Sequence, residues 1–189
     1  MRPEPGQLLH FSEDPTITSF RPHVAATAQQ PEAYVWALDA VQAPAYWFPR
    51  QCPRAMAWAR PSSTASDKGL ILGPGGGNRV HAVEYGWLAA LRTVELYVYR
   101  FAAADFRPFD DSDEPHAYVS ELTVRPLGPA ERAGDLLTLH EEAGIQLRVL
   151  PKLWTFWDAV IGSSLGFSGI RLANALPRSA EQPAEQSAG

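Results

Sequence analysis

The sequence predicts a single α+β domain with a mixed, mainly antiparallel sheet of about five or six strands and three main helices. Short apolar runs bounded by turn residues indicate the strands, and three longer stretches indicate the helices. Their order along the chain is irregular, without the strand–helix–strand repeat of a parallel α/β fold. The length of 189 residues is typical of one domain.

The predicted strands begin with residues 7–11, which lead into the turn-forming cluster Ser12-Glu13-Asp14-Pro15. This places His10 near a strand end. Later segments rich in β-branched and aromatic residues predict strands at 33–38, 55–59, 94–101, 117–124 and 145–150.

The predicted helices differ in their signals. An amphipathic stripe with three- and four-residue spacing predicts a helix through Val80, Val83, Trp87, Leu88 and Leu91. A second helix is predicted over 129–143, with proline near its start and Gly144 just beyond its end. A third is predicted over 152–161, after Pro151. Between the third and fourth predicted strands, residues 61–78 are rich in Ser, Gly and Pro and are predicted to form a loop.

The domain is predicted to span residues 1–176, and 177–189 is predicted to be a disordered tail because nothing large and apolar follows Leu176. Sixteen basic and 21 acidic residues give a net charge of −5, which does not support nucleic-acid binding. The single cysteine, Cys52, and the absence of a secretory or membrane-spanning pattern predict a cytoplasmic protein without membrane association.

Several motifs match part of the pattern of a known catalytic, phosphate-binding or metal-binding site. Gly162-Ser163-Ser164-Leu165-Gly166 matches a hydrolase nucleophile elbow, but no histidine follows it in the chain. Gly73-Pro74-Gly75-Gly76-Gly77-Asn78 lacks the Lys-Ser/Thr of a phosphate loop and indicates a plain loop. The scattered histidines do not have the spacing of metal ligands, so no metal site is predicted, and His10 is the first ligand to consider if one exists.

His10 and Ser12 form the remaining candidate site. Residues two apart on a strand share a face, so an imidazole and a hydroxyl point the same way and could hold a ribose or a carbonyl. The structural alternative is a histidine at a strand end followed by a Ser-Asp turn. Local sequence favours the structural alternative.

Several separated motifs resemble the bacterial family of unknown function DUF6886 over about residues 8–175. The motifs are Leu9-His10-Phe11-Ser12-Glu13-Asp14-Pro15, Val35-Trp36-Ala37-Leu38-Asp39, Phe48-Pro49-Arg50, Cys52-Pro53-Arg54, Arg79-Val80-His81-Ala82-Val83-Glu84 and Phe167-Ser168-Gly169-Ile170-Arg171. More distantly, His10-Phe11-Ser12 is similar to the first-strand motif of ADP-ribosyltransferase-like folds.

This second resemblance implies an NAD-using or nucleotide-binding transferase, with NAD as the cofactor and a small nucleotide-like ligand. His10 and Ser12 would hold the nicotinamide-side ribose. Tyr34 or Trp36 would stack on nicotinamide, and Glu121 would orient the acceptor. Three arginines are candidates for the pyrophosphate: Arg50, Arg54 and Arg171.

Two other classes of function stay open. One is a non-catalytic module that binds a small molecule or a protein through the aromatic segments at 46–48 and 154–157. The other is a metal-dependent enzyme centred on His10. The transferase requires His10, Ser12, an aromatic residue and Glu121 in one cleft, and the binding module requires accessible aromatic side chains.

Overall fold

Ten strands and four α-helices lie in the part of the chain that the computed structural model describes, residues 1–24, 31–75, 77–111 and 115–178. The strands are β1 (Gln7–Ser12), β2 (Val35–Ala37), β3 (Arg54–Trp58), β4 (Arg79–Glu84), β5 (Tyr97–Ala102), β6 (Arg107–Pro108), β7 (Tyr118–Ser120), β8 (Glu131–Arg132), β9 (Gln146–Leu150) and β10 (Gly166–Ile170). The helices are α1 (Ala65–Asp67), α2 (Leu88–Thr93), α3 (Leu136–Glu142) and α4 (Trp154–Ile161). The predicted α+β class is confirmed, although the strands are shorter and more numerous than the sequence indicates.

These strands form three sheets within the described residues, where about five or six strands in one sheet were expected. The orders are β1-β5-β8, β10-β3-β4-β9 and β2-β7-β6. Leu9 of β1 and Leu38, just after β2, form an antiparallel bridge that joins the first and third sheets edge to edge. The joined sheets have two faces, and successive residues of each strand point to opposite ones.

The four-stranded sheet contains the most buried strand of the fold. β4 pairs antiparallel with β3 and parallel with β9, and every residue from Val80 to Glu84 is buried. On one face, Val80 packs with Val160 of α4. On the other, Val83 packs with side chains of α2 and α3. Both faces of β4 are therefore covered.

The predicted helix from Val80 to Leu91 is wrong in its first half, where β4 is found. A 3₁₀ turn at Tyr85–Trp87 follows the strand, and α2 begins only at Leu88. A strand buried on both faces has apolar residues on both sides, so its residues can match helical spacing without forming a helix.

The other predicted helices are present. α3 is shorter than the predicted 129–143, because Glu131–Arg132 pairs with β5 and the helix begins after its N-cap Asp135. Gly144, with φ of 65°, follows the end of α3, as expected for a glycine at a helix terminus. α4 is confirmed, and its observed start at Trp154 lies within one helical turn of the predicted start.

The predicted loop at 61–78 contains α1 and a π-helical turn at Lys68–Leu72. β10 was not predicted. Its glycines weaken the strand signal, yet Gly166 is needed because a Cβ there would overlap the indole of Trp58 on the neighbouring strand.

Contacts at the carboxyl end extend just past the predicted domain boundary. Arg178 forms two hydrogen bonds to Asp158, of 2.7 and 2.8 Å, and its guanidinium lies 4.4 Å from the ring centre of Trp154. The rest of the predicted tail, residues 179–189, lies outside the described residues. Across the described ranges, no helix has the length and apolar character needed to cross a membrane.

Candidate anion-binding site

His10 and Ser12 lie on one face of β1, and each makes a local structural contact. The His10 Nδ1 atom donates a hydrogen bond of 2.8 Å to the carbonyl oxygen of Trp36, which links β1 to β2. Ser12 Oγ accepts a hydrogen bond of 3.1 Å from the Asp14 backbone and closes a turn. Desolvation lowers the pKa of His10, so its ring is neutral near pH 7. These contacts match the structural alternative described above.

The two predicted aromatic residues point away from the His10 ring. His10 packs edge-on against Phe20, with ring centres 4.8 Å apart, on the face where Leu8 also lies. Trp36 packs on the other face, in the apolar cluster that contains Leu9. Tyr34 lies two residues from Trp36 and contacts its ring edge-on at 5.9 Å.

Glu121 lies on the Trp36 face. It accepts a hydrogen bond of 2.8 Å from Arg107, whose guanidinium stands 5.5 Å from the ring centre of Tyr34. Both members of this ion pair are exposed. The structure therefore brings Tyr34, Trp36 and Glu121 to one face and leaves His10 and Ser12 on the other, so these five side chains do not line one cleft.

The three candidate arginines have different environments. Arg54 is buried: its Nε donates to the carbonyl of Ala45 at 2.7 Å and its Nη1 to that of Cys52 at 2.9 Å. Desolvation lowers the pKa of Arg54 to about 10. Arg50 is exposed, and its backbone N–H donates to the Glu13 carboxylate at 2.7 Å. Arg171 has a left-handed backbone with φ of 55°. Arg54 thus stabilises the interior and does not face a ligand cleft.

Of the two aromatic segments of the predicted binding module, 46–48 packs mostly inward and the aromatic side chains of 154–157 are half-buried. Trp47 and Phe48 are buried, with exposed fractions of 3% and 2%, and only Tyr46 reaches the surface. Trp157 packs edge-on against Phe167, with ring centres 5.8 Å apart. No group of three histidine, cysteine or carboxylate side chains able to hold a metal occurs in the described ranges, which include His10.

The serine and glycine motifs also have structural roles. Ser164 Oγ donates a hydrogen bond of 2.6 Å to the Asp67 carboxylate, which connects the turn after α4 to α1. In the glycine-rich segment, a Cβ at Gly75 would lie 3.0 Å from the side chain of Gln146. This glycine permits close packing against β9.

A cavity of about 440 Å³ lies where the start of β4 meets the segment after β2 and the turn that follows α3. Its lining includes Arg2, Trp47, Arg79 and Ile145. The volume falls within the range typical of small-molecule sites. None of the residues predicted for the transferase site lines it, whereas Trp47 of the predicted binding module does.

Arg79 is a half-buried cation of this cavity. Its Nε donates to His81 Nε2 at 2.8 Å, and its Nη1 donates to the Val41 carbonyl at 2.7 Å. The guanidinium also lies 5.0 Å from the ring centre of Trp58. No carboxylate among the described residues forms an ion pair with Arg79. Desolvation lowers its pKa to about 10, and the charge of Asp39 partly opposes this shift.

Two buried donors at the cavity have no hydrogen-bond partner: Arg79 Nη2 and Trp47 Nε1. A guanidinium has five N–H groups, and Arg79 uses two of them in the contacts above. Buried donors without partners are rare because each loses its hydrogen bonds to water. Cationic and neutral N–H donors at one cavity form a site suited to an oxyanion.

Behind Arg79, His81 and His140 extend the hydrogen-bonded chain into the core. His81 Nδ1 lies 3.0 Å from His140 Nε2, and His140 Nδ1 lies 2.7 Å from the carbonyl oxygen of Leu136. Both rings are buried, and desolvation lowers the pKa of each. Trp47 packs edge-on against His140, with ring centres 5.7 Å apart.

Sequence reasoning did not identify these residues. His81 belongs to a segment that was predicted to be a helix, Arg79 immediately precedes that segment, and His140 is 59 positions away from His81. The available signal was the alternation of Arg79 and His81 with apolar residues, which is the pattern of a strand that turns polar groups towards one side.

Comparisons with known proteins bear on the family alone. Neither the curated proteins nor the solved structures yielded a significant match to the chain. A family model does match, over residues 9–175, which is most of the sequence. The chain therefore belongs to DUF6886, a family of unknown function.

Proposed function

We propose that this protein binds a small oxyanion, of the phosphate or carboxylate class, in the cavity lined by Arg79. The observation that carries the proposal is a half-buried guanidinium with no ion-pair partner among the described residues, whose buried Nη2 lacks a hydrogen bond, at a cavity where an indole N–H also lacks one. This is a small-molecule binding function, the alternative that the aromatic segments suggested, and it uses Trp47 of one of those segments together with Arg79.

The energetics favour an anion at this place. Arg79 is half-buried, so part of the hydration of its charge is lost, and a hydrogen-bonded anion offsets that loss. Arginine presents its N–H groups as a planar fork that matches two oxygens of a phosphate or carboxylate. The net charge of −5 does not oppose this, because contacts in a buried site outweigh the distant charges of the surface.

The size of the ligand follows from the burial of the two donors. Arg79 Nη2 and Trp47 Nε1 both lie beneath the cavity surface, so a ligand oxygen reaches them by displacing a lining side chain. A small oxyanion requires the least displacement. The bound group is therefore a phosphate- or carboxylate-sized moiety, alone or at the end of a larger molecule.

The NAD-using transferase has weaker support. His10-Phe11-Ser12 favours it, but His10 and Glu121 lie on opposite faces of the joined sheets, and Glu121 is paired with Arg107. NAD and ADP-ribose both carry a pyrophosphate, so both belong among the ligands tested at the Arg79 cavity.

The test is a thermal-shift screen followed by calorimetric titration with inorganic phosphate, acetate, ADP-ribose and NAD. A ligand at a hundred times its Kd adds about 2.7 kcal/mol, which raises Tm by about 5–10 °C for a domain of this size. Arg79→Met is expected to abolish the shift. Arg107→Met removes the same charge from the exposed ion pair and is expected to retain it. If none of the anions stabilises the wild type, or if Arg79→Met binds them as well as the wild type does, the proposal fails.

A further inference from the structure

The hydrogen bonds behind Arg79 have a fixed direction. The Arg79 Nε–H can only donate, so His81 Nε2, 2.8 Å away, must accept. The proton of neutral His81 is then on Nδ1, which donates to His140 Nε2 at 3.0 Å. The proton of His140 is in turn on Nδ1 and is donated to the Leu136 carbonyl at 2.7 Å. The order Arg79, His81, His140, Leu136 thus fixes both tautomers.

This series of hydrogen bonds also fixes the rotation of the Arg79 guanidinium. With Nε held by His81 and Nη1 held by the Val41 carbonyl at 2.7 Å, the planar group has two anchored edges. The remaining nitrogen, Nη2, is the one without a partner. Because the guanidinium is planar, fixing Nε and Nη1 determines the position of Nη2.

We propose that His81 and His140 are positioning residues that hold the Arg79 guanidinium in the orientation that binds the oxyanion. This inference rests on the proposed function and deepens it, because it assigns a role to two buried side chains that do not touch the ligand. His140 acts through His81, and His81 acts through Arg79.

The packing around the pair is consistent with a fixed geometry. Phe48 contacts both imidazoles, with ring centres 5.6 Å from His81 and 5.0 Å from His140. Both histidines are almost fully buried, with exposed fractions of 0% and 1%. The two rings therefore have little freedom to exchange their hydrogen-bond partners.

The variants separate the hydrogen bond from the volume of the ring. His140→Leu fills similar space but leaves the His81 Nδ1–H without an acceptor. If His81 moves its proton to Nε2, that atom can no longer accept from Arg79. His140→Gln supplies an amide oxygen that can accept from His81. His10→Leu is the matched control, since it removes a histidine that also donates to a backbone carbonyl but lies outside the cavity lining.

The experiment is calorimetric titration with inorganic phosphate, combined with ¹⁵N NMR of the histidine rings in the ligand-free protein. His140→Leu is expected to weaken phosphate binding about tenfold or more, as for loss of a hydrogen bond to a charged group. His140→Gln and His10→Leu are expected to bind within about threefold of the wild type. The NMR spectra are expected to show the Nδ1–H tautomer for both His81 and His140.

The outcomes distinguish this inference from the proposed function. Full affinity in His140→Leu together with loss of binding in Arg79→Met would leave the anion site in place and refute the positioning role. An Nε2–H tautomer at His81 would refute the direction of the hydrogen bonds from Arg79 to Leu136, whichever ligand binds. If His140→Leu does not fold, the His140→Gln affinity and the wild-type tautomers decide. If the wild type binds neither inorganic phosphate nor acetate, ADP-ribose or NAD, both proposals fail.

Discussion

Acidification from pH 7.5 to 5.5 is expected to lower the free energy of unfolding by up to about 3 kcal/mol through His81 and His140. Desolvation lowers the pKa of both rings from the ordinary 6.5, so the folded protein keeps them neutral. The unfolded chain exposes them and binds protons near pH 6.5. It therefore binds more protons than the folded chain below that pH. The stabilisation is complete above pH 6.5 and is lost as the pH falls towards the lowered pKa values.

The magnitude follows from the two buried rings. Each ring contributes up to about 1.4 kcal/mol between these pH values, because the unfolded chain binds one more proton per ring over about one pH unit. Desolvation also lowers the pKa of His10, but this residue is only half-buried and is expected to add less. The pKa values of Asp67 and Asp135 are lowered from the ordinary 3.8 by hydrogen bonds, so these carboxylates lose their contribution only in more acidic solution.

The assay is urea unfolding at pH 7.5, 6.5 and 5.5, followed by tryptophan fluorescence. His140→Gln is expected to reduce the dependence on pH by about half, because one of the two main groups is removed. His23→Gln, at an exposed histidine, is the control and is expected to leave the dependence unchanged. An unfolding free energy that stays constant from pH 7.5 to 5.5 would refute the claim that the two rings are buried and neutral.

Three further predictions concern stability and reactivity. Gly166→Ala is expected to destabilise the protein by about 1–3 kcal/mol because its Cβ would overlap the Trp58 indole, whereas Gly86→Ala, with open space at the Cβ, should be neutral in the same urea unfolding experiment. Glu84→Ala is expected to cost about 2–4 kcal/mol in chemical denaturation, since the buried carboxylate accepts hydrogen bonds from two backbone N–H groups. Burial raises the pKa of Cys52 to about 12, so a thiol reagent at pH 8 should label it only after unfolding, and rapid native labelling would contradict its burial.

Local sequence signals were sufficient for part of the fold. β1, β9 and α4 were predicted because their boundaries are marked by proline, glycine or turn residues close in sequence. β4 was not predicted, because its burial depends on pairing with β3 and β9 and on the helices α2, α3 and α4 that cover its two faces. Strand character there is decided by these tertiary contacts, which a local apolar pattern does not encode.

The candidate site likewise has features that follow from nearby residues and features that depend on tertiary contacts. The turn at Ser12 and the strand position of His10 follow from nearby residues. Whether His10 and Glu121 share a face depends on the register of the strands joined by the Leu9–Leu38 bridge. Local spacing does not determine that register. The Arg79 site is still less local, since its neighbours at Val41 and His140 lie on separate elements.

The most direct measurement of the anion site is the NMR signal of the Trp47 indole N–H during titration with inorganic phosphate. The protein has six tryptophans, so the indoles other than Trp47 and Trp58, whose ring contacts Arg79, serve as internal references, and Trp47→Phe assigns the signal. The Trp47 resonance is expected to shift progressively to saturation in the wild type and to stay fixed in Arg79→Met. A Trp47 signal that does not respond to phosphate, or that responds equally without Arg79, would contradict an oxyanion site at this cavity.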